Sequence, residues 1–313
     1  MPGFFHKPVM EAEVLQALQP NPASLIADGT VGGGGHAAAL LRASAPTGRL
    51  LGCDRDGTAV EAATARLSSE FAGRFEIRRG NLADLAEWID PESCDGVLFD
   101  LGTSSPQLDW AERGFSFQAD GPLDARMDQR QELTAARLVN EADADELADI
   151  FWRYGDEQQS RRIARAIVRE REGQPLERTG QLAALIERIS PRAGRRTHPA
   201  TKVFQALRMA VNDELGSLRR GLEGAARILK PGGRLAVISF HSVEDRAVKE
   251  FGRRLSRDYE TAGEVDVPEL RRPRPPLFKW VWTKALRPGE AELEANPRSR
   301  SAQCRVLEKL RMS

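Results

Sequence analysis

The chain has 313 residues with 46 basic and 46 acidic side chains, so its formal net charge is zero and overall charge favours no class of partner. Hydrophobic residues make up 41% and charged residues 29%, which excludes a disordered chain and allows two globular units. No apolar run approaches the roughly 20 residues of a membrane-spanning helix, and residues 1–7 lack the layout of a secretion signal. Three scattered cysteines, Cys53, Cys94 and Cys304, favour a reducing cytoplasm without a disulfide framework or a zinc site.

The first hundred residues alternate between short apolar runs and helical stretches. The apolar runs lie at 25–27, 50–53, 75–77 and 97–99, and the clearest helical stretch covers 58–71. Strands separated by helices imply right-handed crossovers, so the pattern predicts a parallel α/β sheet with both faces covered.

A glycine-rich turn follows the first apolar run. Four consecutive glycines at 32–35 precede His36 and a helix-prone run, and their cost in chain entropy indicates close approach of the backbone to a ligand. Asp54 ends the next apolar run, twenty residues beyond Gly34. A glycine turn followed by an acid at this spacing is typical of sites for adenosine-containing cofactors, in which the acid binds the ribose. The pattern fits both nicotinamide enzymes and methyltransferases.

The strand–helix alternation stops after about Gln107. Residues 110–130 are rich in Gly, Asp and Pro, and helical patterns follow with no strand between them. Two of these patterns place their apolar residues on one face: Leu147, Ile150, Phe151 and Tyr154 in the first, and Leu182, Leu185, Ile186 and Ile189 in the second.

Basic residues cluster locally although the chain is neutral. Arg161, Arg165 and Arg169 recur every four residues along one helix, and a solvated helix face is favoured over an RNA contact there. Two further stretches, 192–202 and 271–287, are basic without any acid, and the second contains Trp280 and Trp282. These two stretches are predicted to face RNA, because phosphate contacts with nearby aromatic residues suit structured RNA.

The three/four apolar spacing over 199–229 predicts one long helix of roughly 45 Å, with glycines that mark bends. A fifth core strand is predicted at 234–239. We therefore expect a discontinuous cofactor-binding domain of residues 1–106 and 214–313, with an inserted helical domain of residues 107–213. In the last segment, 279–284 alternates like an edge strand, 303–308 predicts a final strand, and the Pro-rich stretch 268–276 predicts an extended, mobile loop.

Two segments separate the cofactor classes. The Lys-Pro-Gly-Gly turn at 230–233 resembles the turn before the fifth strand of S-adenosylmethionine-dependent methyltransferases. The fourth apolar run ends at Asp100 and leads into Ser104-Ser105-Pro106, and methyltransferases of exocyclic amines carry an Asp or Ser followed by Pro here. Such an amine is a poor nucleophile, and oxygens that accept its N–H bonds localise its lone pair and receive the departing proton. This chemistry requires neither a metal nor a covalent cysteine.

Blocks along essentially the whole chain resemble, in order, the bacterial 16S ribosomal RNA cytosine-N4 methyltransferase family (MraW type). They lie at 28–30, 34–36, 54–56, 100–109, 113–117, 120–128, 154–157, 198–201 and 239–246. The resemblance implies a Rossmann-like class I methyltransferase sheet with an inserted all-helical domain. It also implies S-adenosylmethionine-dependent methylation of N4 of a cytidine in the decoding region of 16S rRNA, within the 30S subunit. The rivals are a methyltransferase for small molecules or proteins and a non-enzymatic RNA-binding protein.

The resemblance also implies roles for individual residues. Gly34, Gly35 and His36 would line the cofactor pocket, Asp54 would bind the ribose, and Leu82 would pack on the adenine. Asp100 and Gln107 would supply the remaining cofactor contacts. The group that accepts the amine proton stays open, with Asp100 first, followed by Ser104 and Ser105. Gln107 stands where DNA amino-methyltransferases have an aromatic residue, so other residues would have to stack on the base. The candidates are Trp110, Phe115 and Phe117. His241 would contact RNA or form a structural hydrogen bond, and the oligomeric state is open.

Overall fold

The computed structural model describes residues 8–191, 198–261 and 266–311. Residues 1–7 and most of the basic stretch 192–202 lie outside the described residues. The chain divides into two compact units, Met1–Gly102 with Leu215–Ser313 and Thr103–Glu214. The sequence analysis placed the two divisions after residues 106 and 213. Within the described ranges, no helix is both long and apolar enough to cross a membrane.

The first unit contains a seven-stranded sheet and a separate two-stranded ribbon. The strands are β1 (Leu25–Asp28), β2 (Arg49–Asp54), β3 (Phe75–Arg79), β4 (Cys94–Asp100), β5 (Leu229–Ser239), β6 (Tyr259–Thr261), β7 (Arg271–Pro273), β8 (Phe278–Trp280) and β9 (Gln303–Lys309). The order in the large sheet is β3-β2-β1-β4-β5-β9-β8. Pairs from β3 to β5 are parallel, and β9 runs antiparallel to both β5 and β8. The predicted parallel sheet is confirmed.

The helices, in chain order, are α1 (Glu11–Leu18), α2 (Gly35–Ala43), α3 (Gly57–Ser68), α4 (Leu85–Trp88), α5 (Ser105–Asp109), α6 (Ala135–Glu141), α7 (Ala144–Gly155), α8 (Ser160–Gly173), α9 (Thr179–Ile189), α10 (Thr201–Val211), α11 (Glu214–Ile228), α12 (Ser242–Ser256) and α13 (Glu290–Ala295). Two apolar clusters cover the two faces of the first unit's sheet. Leu98 belongs to one cluster, while its neighbours Val97 and Phe99 belong to the other, as the alternation of side chains along a strand requires. Because both faces are covered, β4 reads in the sequence as an almost continuous apolar run.

The second unit is built from α5 to α10 around one apolar core. Each predicted helical face contributes buried residues to this core, among them Leu147 and Phe151 on α7 and Leu182 and Ile186 on α9. Its described regular elements are helices and a 3₁₀ turn, together with one isolated bridge between Pro122 and Arg178. The predicted helical character of this insertion is confirmed.

The prediction of one long helix over 199–229 is wrong, because the chain breaks at Asn212 and Asp213. Asp213 has φ +45°, in the left-handed region that a helix cannot continue through. The amide nitrogen of the Asn212 side chain donates to the carbonyl oxygens of Ala125 and Arg208, both at 2.8 Å, and Nε of Arg208 binds Glu214 at 2.8 Å. The glycines predicted to mark bends lie inside α11 instead, where the absence of a side chain at Gly221 leaves room for Leu82.

Two predictions for the C-terminal segment need correction. The stretch 268–276 is not simply an extended loop: it forms a 3₁₀ turn at Pro268–Leu270 and then β7, which pairs with β6. The strand predicted at 279–284 is present as β8 and lies at the edge of the sheet, as predicted. It is shorter than predicted and covers only Phe278–Trp280. The final strand predicted at 303–308 is confirmed as β9.

Candidate active site

Three adjacent parallel strands each end in an aspartate. Asp54, Asp28 and Asp100 are the last residues of β2, β1 and β4, which are neighbours in the sheet. Since parallel strands have their carboxyl ends at the same edge, the three carboxylates lie where open α/β sheets bind ligands.

The glycine turn links β1 to α2 at this edge. Gly32 and Gly34 have φ +52° and +75°, which side chains rarely allow, and a Cβ at Gly34 would lie 3.2 Å from Cα of Ala63. The first amides of a helix have no intrahelical acceptor. Gly34 is the N-cap residue of α2 and has no side chain that could accept from them. A helix start of this kind favours a negatively charged group.

Asp54 anchors the glycine turn from the neighbouring strand. Its Oδ2 accepts a hydrogen bond from the amide of Gly32 at 2.9 Å, and its Oδ1 accepts one from the amide of Asp56 at 2.9 Å. Burial raises the pKa of Asp54 above its ordinary value, and these two amides oppose the shift. A carboxylate offers about four acceptor sites, so Asp54 can still accept from a ligand hydroxyl.

Asp28, His36 and Asp100 form a buried polar cluster whose hydrogen bonds are incomplete. Nε2 of His36 lies 3.5 Å from Oδ2 of Asp100, and the His36 side chain is only 6% exposed. Both ring nitrogens of His36, Oδ2 of Asp28 and Oδ1 of Asp100 are buried without a hydrogen-bond partner among the described residues. Buried polar atoms without partners are costly and uncommon, so this cluster indicates a site that a polar or charged ligand completes.

Two members of this cluster, Asp28 and His36, have shifted pKa values. Burial raises the pKa of Asp28 to about 7, with Asp100 and Asp54 adding to the shift, while the Thr30 amide and His36 oppose it. Burial lowers the pKa of His36, but its pairing with Asp100 and the charges of Asp28 and Glu11 outweigh burial and raise that pKa above its usual value. Perturbed titrating groups in one buried cluster are typical of functional sites.

Thr30 connects two of these carboxylates, and sequence reasoning assigned no role to either Thr30 or Asp28. The Thr30 hydroxyl accepts from the amide of Asp100 at 2.6 Å, and the Thr30 amide donates to Oδ1 of Asp28 at 3.0 Å. The available signal was an acid at the end of β1, directly before the glycine turn. Leu82 lies close by, since a Cβ at Gly29 would meet Cβ of Leu82 at 2.9 Å.

Three of the sequence-predicted site residues belong to the second unit. Ser104 and Ser105 begin α5, and their hydroxyl oxygens are buried without a hydrogen-bond partner. Gln107 is buried, and its Oε1 accepts from the Ser104 amide at 3.0 Å, so this side chain helps to cap its own helix. The structure thus groups Gly34, Gly35, His36, Asp54, Leu82 and Asp100 in the first unit.

Several other candidate residues pack locally. Phe117 contacts the rings of His198 and Phe204, with centroids 4.7 and 4.9 Å away, and Phe115 is buried. His241 is the N-cap residue of α12, where the Glu244 carboxylate accepts from its amide at 3.1 Å. Across the described part of the chain, no group of three or more His, Cys, Asp or Glu side chains is arranged to bind a metal ion.

The fold and the site together define a Rossmann-like class I methyltransferase with an inserted all-helical unit, an enzyme that uses S-adenosylmethionine. The buried atoms without partners in the Asp28–His36–Asp100 cluster fit a charged cofactor of this kind. The model of the MraW methylase family matches residues 3–310. The chain therefore belongs to the MraW methylase family, and the nicotinamide alternative is excluded.

Two relatives illustrate the extent of the similarity. The chain is 49% identical over 313 residues to the ribosomal RNA small subunit methyltransferase H of Symbiobacterium thermophilum, covering 98% of each chain. It is 50% identical over 313 residues to the protein of the same name from Syntrophotalea carbinolica, again covering 98% of each. The similarity therefore includes both units.

Proposed function

We propose that this protein transfers a methyl group from S-adenosylmethionine to the exocyclic N4 of a cytidine in the decoding region of 16S rRNA. The substrate is the rRNA within the 30S subunit, and the reaction takes place in the cytoplasm. Family membership and the names of the relatives support a small-subunit rRNA substrate. The choice of an amine depends on one observation, the Asp100 carboxylate at the end of β4 with Oδ1 buried and without a partner.

The first unit supplies most of the groups that hold the cofactor. Backbone amides at the start of α2, after Gly34 and Gly35, bind its carboxylate. Asp54 binds the ribose hydroxyls while it keeps its two amide contacts, and the half-buried Leu82 packs on the adenine. Gln107, which the family resemblance assigns to the cofactor, is a further proposed contact.

The chain's own groups handle the nucleobase amine. S-adenosylmethionine supplies a methyl group already activated as a sulfonium. Asp100 accepts an N–H bond of the cytosine amine, which localises the nitrogen lone pair, and then receives the proton that leaves. Ser104 and Ser105, which follow in the chain, are the next candidates for this acceptor role. His36, 3.5 Å from Asp100, keeps a positive charge close to that carboxylate when it is protonated.

Substrate recognition belongs to the inserted helical unit in this proposal. A methyltransferase for small molecules would need no such unit, and a non-enzymatic RNA-binding protein would need no strand-end acids around a glycine turn. A cytosine in folded rRNA must also leave its stacked position to reach the methyl donor.

A nucleoside assay tests this function. The enzyme is incubated with labelled S-adenosylmethionine and 30S subunits from cells that lack the modification, and the rRNA is then digested to nucleosides. We expect label in N4-methylcytidine. Subunits from cells that already carry the modification are the matched control and should take up little label. Label in protein, in another nucleoside, or in neither preparation contradicts the proposal.

A further inference from the structure

Helix α8 of the second unit carries a line of arginines on its exposed side. Arg161, Arg165 and Arg169 are exposed, while Ile163 and Ile167 of the same helix are buried in the core of the unit. At 1.5 Å per residue, the three arginines cover about 12 Å with one side chain about every 6 Å. We refer to Arg161, Arg165 and Arg169 as the α8 stripe.

The α8 stripe differs from the other basic residues of its unit because it has no polar partner among the residues that the structure describes. Arg137, Arg153 and Arg188 are also exposed, but each contacts an acid within 3.0 Å. Among the basic residues of this unit that the structure describes, only the three of the stripe have neither an ion pair nor a hydrogen bond from the side chain. The side chains that do have a partner are Arg113, Arg126, Arg130, Arg137, Arg153, Arg162, Arg171, Arg178, Arg188, Lys202 and Arg208.

In the two stretches that the sequence analysis favoured for RNA, some of the basic residues are bonded within the protein. Within 271–287, Arg271 pairs with Asp266 and Lys279 with Glu308, and Trp280 packs against Gly252. In the stretch 192–202, most residues lie outside the described part, and Lys202 donates to the carbonyl of Asp156 at 2.8 Å. Pairing with acids neutralises part of the charge that 271–287 shows in the sequence.

We propose that the α8 stripe binds backbone phosphates of the rRNA substrate, an inference that rests on the proposed function. Guanidinium groups match phosphate oxygens in a two-pronged geometry. Regular spacing on a helix anchored by buried Ile163 and Ile167 suits a polyanion with repeating charges. Two acids, Glu170 and Glu172, are exposed near the C-terminal end of α8; Glu170 pairs with Arg188, and Glu172 limits the stripe there. An acidic ribosomal protein is the alternative occupant that the experiments must distinguish.

A matched pair of triple variants tests this surface. The first is Arg161→Gln/Arg165→Gln/Arg169→Gln, and the control is Arg137→Gln/Arg153→Gln/Arg188→Gln. Both remove three exposed arginines from helices of the same unit, and glutamine is a good helix former. Both variants should bind S-adenosylmethionine as the unsubstituted enzyme does, which shows that the chain is folded.

The measurement is the affinity for unmodified 30S subunits between 50 and 200 mM salt. Each phosphate contact adds about 0.7 to 0.9 to the slope of log affinity against log salt, so the stripe variant should lose about 2 to 3 units of slope. When the salt concentration rises from 50 to 200 mM, the affinity of the unsubstituted enzyme for 30S subunits should fall by a factor roughly 20 to 40 times larger than the factor for the stripe variant. The control should keep its slope within about one unit. An unchanged slope in the stripe variant, or equal losses in both variants, overturns the proposal.

Crosslinking identifies the occupant. Benzoyl-phenylalanine at position 165 should give an adduct with 16S rRNA when the enzyme is bound to 30S subunits, and an adduct only with ribosomal protein overturns the proposal. If the nucleoside assay yields N4-methylcytidine while the stripe variant keeps its salt slope, then the proposed function stands and only this surface is wrong.

Discussion

At the scale of single residues, the candidate site depends on carboxylates with different environments. Asp54 has both oxygens bonded to backbone amides, whereas Asp28 and Asp100 each keep one buried oxygen without a partner. The sequence predicts that acids meet at this edge because they end adjacent strands. It does not predict the burial of Asp28 or its contact with Thr30, because both depend on the packing of the loop after β1. The cofactor and proton-transfer roles of these acids lead to the first prediction, and the burial of Asp28 leads to the second.

The first prediction separates cofactor binding from chemistry. Asp54→Ala should weaken S-adenosylmethionine binding by roughly 10- to 100-fold, because hydrogen bonds to a charged group are lost. Asp100→Asn should lower the single-turnover methylation rate by about 100-fold or more and change the cofactor affinity less than tenfold, because an amide cannot accept the amine proton. Calorimetry and single-turnover kinetics measure the two effects. Asp95→Ala, in the same strand as Asp100 but at its amino end, is the control. If Asp100→Asn loses only affinity, the residue has no part in the chemistry.

The second prediction concerns the pH dependence of stability. Burial raises the pKa of Asp28 from 3.8 to about 7, so the folded protein binds this proton more tightly than the unfolded chain does. The contribution of Asp28 to the free energy of unfolding is therefore present below pH 4 and is lost as pH rises through about 7. The loss is on the order of 4 kcal/mol. Asp28→Asn should melt at a temperature that depends less on pH between 4.5 and 7.5. Identical pH profiles for both proteins would exclude a buried, shifted Asp28.

At the scale of secondary structure, the sequence predicts those elements well that are buried either on both faces or on one regular face. Parallel strands buried on both faces read as continuous apolar runs, and the amphipathic helices of the insertion have one apolar face, so both were found. The break between α10 and α11 was missed because residues 199–229 keep their apolar spacing across it. The cause lies in the tertiary contacts of Asn212, which bonds to residues more than eighty positions away in the chain. Periodicity along the chain contains no such information.

The third prediction tests what holds this break. The Asn212 side chain is 4% exposed; it accepts from the Met127 amide at 2.8 Å and donates to the Ala125 carbonyl at 2.8 Å. Asn212→Ala leaves these two backbone groups without their partners and should lower the free energy of unfolding by roughly 2 to 4 kcal/mol. Urea denaturation provides the measurement. Gln129→Ala, an exposed amide in the same unit, should change stability by less than about 0.5 kcal/mol. Equal stabilities for the two variants would show that Asn212 does not hold the break.

At the scale of the whole molecule, the neutral chain separates two kinds of electrostatic site. In the first unit, acids end β1, β2 and β4, with Asp28 buried and Asp54 and Asp100 partly buried. In the second unit, the α8 stripe is exposed and has no acidic partner in the described part of the chain. Net charge gives no indication of this separation, and the basic stretches in the sequence favoured other surfaces, because ion pairs such as Arg271–Asp266 form only in the folded protein. Which basic residues stay free for a partner is therefore a property of the tertiary structure.

The fourth prediction follows from this separation. Salt screens exposed charges much more than buried ones, and release of counterions makes binding to RNA phosphates steeply salt-dependent. Raising the salt concentration from 50 to 200 mM should weaken the binding of 30S subunits by on the order of 100-fold or more, if at least four or five phosphates are contacted in total. Binding of S-adenosylmethionine to the same preparation should change less than about threefold, because the groups that hold it are backbone amides and partly buried carboxylates, which salt screens less than exposed charges. Calorimetry for the cofactor and filter binding for the subunit, at the same salt concentrations, make the comparison. Parallel losses in both affinities would mean that the cofactor site depends on exposed charge, and the division of roles between the two units would then be wrong.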